Sequence, residues 1–195
     1  MDCVSAIECP MFNPEETMYD SLRLLMRASI IAEAVLAAGL KEGIFEDPNR
    51  KAFILALQRK GETTPLGAVK IGATFPDEKF RLGCWELAQE KVERQFRLGH
   101  VSSAKSQKPE ERKYAGAIVL PIKFVTWGIG VSGLRAPEDE AAAVLIGMYT
   151  FKIPIEDRRI YEILQVSNNY DLNEKLWTAV MKHDDGYYAK YIHIP

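Results

Sequence analysis

The sequence is poor in the residues that build metal centres and disulfide frameworks, with three cysteines and three histidines in 195 residues. Cys3, Cys9 and Cys84 are odd in number and lack the paired spacing of zinc ligands, which argues against a disulfide scaffold and suits reduced thiols. Charge of one sign is missing as well. The 25 basic and 27 acidic residues leave a net charge of −2, so the field that draws phosphate backbones is absent and no nucleic-acid partner is expected. Long apolar runs are lacking: Ile30 to Leu36 and Ala117 to Ile122 fall far short of the ~20 residues that span a bilayer. Before Pro10 there is no basic segment followed by an apolar one, so no secretion signal is expected. These absences together lead to the expectation of a soluble, cytoplasmic protein that makes no membrane contact. A Walker loop, a dinucleotide fingerprint, a serine-histidine-acid order and a zinc motif of paired cysteines are all missing too.

What is present is apolar content, 47% of the chain, enough for one continuous core. Leu22, Leu25, Met26 and Ile30 recur at helical spacing between Pro14 and Gly39, which predicts a first helix. Pro48 and Asn49 break the chain before the apolar run Ala52 to Leu57. The turn Gly61 to Pro65 then returns it through Leu66 to Ile71, and the pair reads as a hairpin. Asp77 is placed to cap a second helix with Trp85, Ala88, Val92 and Phe96 on one face and Gly99 as its stop. After the polar segment Ser102 to Arg112, Ala115 to Phe124 and Trp127 to Ser132 read as core strands. Pro137 then opens a third helix whose Glu138, Asp139 and Glu140 complement its dipole. Beyond Thr150, Ile155 to Gln165 and Asn173 to Lys182 suit helices, and Tyr187 to Ile192 suits a short strand. The expected organisation is an N-terminal tail over 1–14, one α+β domain over 15–150 and a C-terminal extension over 151–195 packed on it.

Particular residues narrow the fold. Gly130 to Glu140, reading G-V-S-G-L-R-A-P-E-D-E, resembles the signature of the GlcG/HbpS haem-binding superfamily, which also takes in PduO C-terminal-like domains. There a strand ending in V-S-G runs through a short loop into a helix starting E-D-E or E-D-H. Gly72 to Asp77, followed by Trp85 and Lys91, is similar to the superfamily's G-T-x-x-D turn and the helix after it. Arg94 to Ser103 resembles the R-F-G-x-S-S ending of that helix in an uncharacterised branch. Tyr114-Ala115-Gly116 and Pro121-Ile122 stand where that branch has Y-A-x-H-G-G-G-F-P-I, and the whole resemblance covers roughly residues 15–150. The chain departs from the pattern at Ala117 to Leu120, where a histidine and successive glycines are replaced, and at Glu140, which stands for the last histidine of E-D-H. The resemblance implies an antiparallel sheet of about five strands flanked by helices, assembly as a homo-oligomer, and haem or another tetrapyrrole as the ligand of some members.

The candidate ligand-binding residues are His100, Trp127, Gly130, Ser132, Gly133 and Glu140. Gly130, Ser132 and Gly133 would offer amides and a hydroxyl to an anion beside a helix start; the plainer reading is a tight turn that needs glycine. His100 would serve as an axial ligand to haem iron, or as a partner of the helix dipole. Trp127, with Trp85, Phe96 and Tyr114, would line an apolar pocket or pack the core, and Cys84 suits a buried, inert thiol. His183, Asp184, Asp185 and His193 contain the ingredients of a two-histidine, one-carboxylate iron site, or form a solvated tail. The leading expectation is an oligomeric small-ligand-binding protein of the haem or tetrapyrrole type, with its pocket between the second helix and the Gly128 to Gly133 turn. The alternatives are a cofactor-independent isomerase, cyclase or lyase working through Ser132, His100 and Glu140, and a protein-binding adaptor.

Overall fold

The computed structural model describes residues 14–47, 49–62 and 66–183. The chain runs α1 (Pro14–Lys41), β1 (Ala52–Arg59), β2 (Gly67–Gly72), α2 (Glu78–Leu98), two short 3₁₀ turns, β3 (Ala117–Ile122), β4 (Val125–Ser132), α3 (Ala136–Phe151), α4 (Arg158–Ser167) and α5 (Tyr170–Lys182). The fold is α+β, with one antiparallel sheet in the order β2-β1-β4-β3 and helices on both of its faces. Thr63 to Pro65 of the expected turn and the expected strand Tyr187 to Ile192 lie outside the described residues, as do Cys3, Cys9, Asp184, Asp185 and His193.

Strand β1 explains the layering. Its first seven residues are buried on both faces, which is why it reads as an unbroken apolar run rather than an alternating one. Phe53, Leu55 and Leu57 join Ile118, Leu120, Ile129 and Val131 against α1 and α3, whereas Ile54 and Ala56 face α2 through Cys84 and Ala88. Helix α3 lies between the sheet and the helices α1 and α5, and from Glu138 to Thr150 every residue is buried. A helix enclosed in this way has no solvent face to keep polar. Ile160, Ile163 and Leu164 of α4 and Leu176, Ala179 and Val180 of α5 belong to the same core, so the described part of the C-terminal extension packs on the body it follows.

Among the described residues the sheet has four strands, and the fifth expected one, Tyr187 to Ile192, lies outside them. Val101 to Ser103 runs along the outer edge of β3, but it pairs only through the bridge Ser102 to Ile118 and the bond from Val119 N–H to the Val101 carbonyl at 2.9 Å. Serines 102 and 103 turn at once into a 3₁₀ turn (Ser103–Ser106), so no strand develops. Among the described residues no helix is long and apolar enough to cross a membrane.

Candidate functional site

Helix α2 starts where the sequence indicates, with the Asp77 carboxylate accepting the Phe80 N–H at 2.7 Å, and stops at Gly99 in the left-handed region, φ 68°. Between these caps it crosses β4 at two glycines. A Cβ on Gly130 would overlap the Ala88 carbonyl and stand 2.9 Å from Val92 Cγ2, and one on Gly128 would stand 2.8 Å from Phe96. Glycine there lets the helix lie directly on the strand backbone.

That close approach carries Lys91 inside. Its ammonium donates to the Val131 carbonyl at 2.7 Å and pairs with Asp139 at 2.9 Å, both side chains being almost wholly buried. Asp139 also accepts the Leu134 N–H at 2.9 Å, which ties the pair to the turn between β4 and α3. Gly116, at φ 123°, closes the other side: a Cβ there would lie 2.6 Å from Asp139 Cβ and 2.7 Å from Lys91 Nζ.

The other acidic residues of the α3 first turn are turned inward as well. Glu138 accepts the N–H groups of Arg135 at 3.0 Å and Glu46 at 3.2 Å. Glu140, 1% exposed, accepts the hydroxyl of the fully buried Ser102. Ser102 in turn caps the following 3₁₀ turn by accepting the Ala104 N–H at 3.0 Å, and Ser103 accepts the Ala117 N–H at 2.8 Å. Residues 101–114 thus form a strap fastened to α3 by Ser102 and to α2 by two further bonds, Gln95 to Ser106 at 3.0 Å and Arg94 to the Tyr114 carbonyl at 2.7 Å. On its α2 side, Gln95 Oε1, Arg94 Nε and His100 Nδ1 are buried without a hydrogen-bond partner among the described residues.

Burial dominates the titration of this cluster. It pushes the Asp139 carboxyl up to about 6 against the pull of Lys91 and the Leu134 N–H, and the Glu140 carboxyl up to about 7 against the Ser102 hydroxyl and the charge of Lys91. The Cys84 thiol is raised to about 11 by burial first and by Asp139 second, so it stays protonated and inert.

A raised carboxyl pKa makes the folded state hold its proton longer than the unfolded chain does. The stability contributed by protonated Glu140 is therefore complete below its ordinary value of 4.5 and lost as pH climbs through about 7. Over that window the loss is about 3 kcal/mol, taking ~1.4 kcal/mol per pKa unit. Glu140→Gln should remove most of this slope, leaving only the smaller part due to Asp139. Urea denaturation at about pH 5 and about pH 8 measures it, and equal slopes in the two proteins would show that Glu140 is not the group that titrates.

Of the expected site residues, Gly130 and Ser132 lie on the α2 face of β4, against Ala88 and Cys84, and Glu140 lies within the field of Lys91. Trp127 faces the opposite side of the sheet, with its ring 5.8 Å from that of Phe151. His100 follows the α2 stop and begins the strap. Gly133, at φ 149°, is pressed on β1, where a Cβ would lie 2.5 Å from the Ala52 carbonyl. The expected pocket between α2 and the Gly128 to Gly133 turn is thus occupied by Ala88, Val92 and Phe96, and a tetrapyrrole ring does not fit there. His183 lies beside Glu42 at 2.6 Å, and among the described residues no three His, Cys, Asp or Glu side chains could hold a metal ion.

Lys91, Asp139 and Ser102 belong to the cluster but were not among the candidate ligand-binding residues of the sequence reading. A signal existed for Lys91: it sits three residues after Ala88 and four before Gln95, on the buried stripe of α2 where a cation needs a partner. Comparison with protein-family models, with curated proteins and with solved structures finds no match for this chain.

Proposed function

We propose that this chain binds a small molecule at the polar cluster between α2, the first turn of α3 and the 101–114 strap, in keeping with its resemblance to the GlcG/HbpS superfamily. The observation that supports this most is the Glu140 carboxyl, buried to 1% and held by a single hydroxyl. A buried carboxyl with one neutral partner costs stability, and groups with displaced pKa values concentrate at functional sites. Assembly as a homo-oligomer belongs to the same proposal.

The test is a thermal-shift screen of the full chain against small metabolites and haemin, repeated on Glu140→Leu. A true ligand at about 100 times its Kd adds about 2.7 kcal/mol and raises Tm by about 5–10 °C. That shift should shrink to a small fraction in the variant. Hits that move both proteins equally, or no hits at all, would remove this reading.

A second reading has its own support. A carboxyl poised near 7 suits a general acid and base, so Glu140 would move a proton on the bound molecule, as in a cofactor-independent isomerase or lyase. Incubation of a screening hit with the protein, followed by NMR of the small molecule, decides it. Glu140→Gln should slow turnover by about 100-fold or more, and binding without conversion would exclude the enzyme.

A further inference from the structure

Buried charge around the strap is matched group by group except at one place. Lys91 has Asp139 at 2.9 Å, Arg94 has Glu90 at 2.9 Å, and Glu138 accepts two backbone N–H groups. Glu140 has the Ser102 hydroxyl and, among the described residues, no ion pair, because the nearby ammonium of Lys91 is already spent on Asp139 and Val131. One orphaned atom leans the same way: Gln95 Oε1, on a residue of 0% exposure, is an acceptor with no donor among the described residues.

Resting on the small-molecule reading above, we infer that the ligand is a small organic cation, an amine or amidine, whose N–H groups pair with Glu140 and reach Gln95. The strap residues bonded to these two side chains, Ser102 and Ser106, lie four residues apart across a 3₁₀ turn. Such a cation replaces the neutral Ser102 contact with a charge-assisted one and supplies the positive partner that Glu140 lacks.

The charged group that acts on Glu140 is Lys91 from α2, which draws its pKa down and is itself paired with Asp139, and the proton that Glu140 still holds competes directly with the ligand. Binding should tighten roughly tenfold between about pH 6 and about pH 8, as the ionised fraction of a group titrating near 7 grows from about a tenth to about nine-tenths.

The experiment titrates the ¹⁵N-labelled full chain with benzamidine, n-butylamine, benzamide and butyrate and follows the amides of Ala104 and Ala117, which report the strap through Ser102 and Ser103. The two cations should shift these amides saturably, about tenfold more tightly at the higher pH, and Glu140→Gln should abolish the effect. Ser102→Ala, which frees Glu140 of its competing hydroxyl, should bind them at least as tightly. If benzamide or butyrate saturates the same amides equally well, the cation class falls while small-molecule binding stands. If neither cation moves them, or if Glu140→Gln binds as the wild type does, the inference is wrong and the metabolite screen alone decides the broader reading.

Discussion

Lys91→Met should destabilise the protein by about 3–5 kcal/mol, the loss typical of breaking a buried ion pair from one side. Methionine matches the length of the lysine stem, so little volume is lost; the damage falls on Asp139. That carboxylate would keep only the Leu134 N–H in an interior where its 2.9 Å cation was the main compensation for desolvation. Its proton affinity would rise further, and the variant should lose more stability with increasing pH than the wild type does. The Val131 carbonyl would also lose its 2.7 Å donor. Adding Asp139→Asn to Lys91→Met removes the stranded charge while keeping an acceptor for Leu134, and the double variant should recover half or more of the loss, since neutral replacements of buried pairs are often tolerated. Denaturant unfolding of the single and double variants gives the comparison. A loss below about 1 kcal/mol for Lys91→Met would mean that the pair is hydrated in solution and does not anchor α2 to α3.

Which parts of this arrangement were legible beforehand follows from how local their causes are. Helix α2 reads correctly from Asp77 to Gly99 because a cap and a left-handed stop are decided within a few residues. The β1–β2 hairpin reads correctly for the same reason, its two apolar runs being close in sequence and bounded by turn residues. The path of the segment after α2 was less legible: Ser102 and Ser103 can bridge to β3 or cap a turn, and the choice is made by Glu140, 38 residues away. The acidic turn of α3 shows the limit most clearly. Glu138, Asp139 and Glu140 complement a helix dipole equally well in water or in the interior, so their pattern at the N-terminus carries no information on burial. Their partners are Glu46, Lys91 and Ser102, all remote in sequence. The glycines of β4 were misleading in a different way. An open amide and a helix packed on the strand both require the absence of a side chain, and only the position of α2 distinguishes them.

That distinction yields the second large effect. Gly130→Ala should cost at least about 3 kcal/mol, at the upper end of what overpacking a core does, because the new methyl meets the Ala88 carbonyl, a backbone atom of a helix that cannot swing aside as a side chain can. Relief requires α2 to lift from β4. Lifting it withdraws Lys91 from both Val131 and Asp139, so a steric defect becomes an electrostatic one as well. Gly83→Ala is the matched control: it lies in the same helix, a Cβ there meets nothing within 4 Å, and alanine inside a helix is favoured over glycine by about 0.5–1 kcal/mol. One methyl added to the strand beneath α2 should destabilise, and one added to α2 itself should stabilise. If Gly130→Ala unfolds at the wild-type denaturant concentration, helix α2 does not rest on β4 as described. The face of β4 at Gly128 and Gly130 would then be open to a ligand, and the expected pocket there would regain its place over the strap.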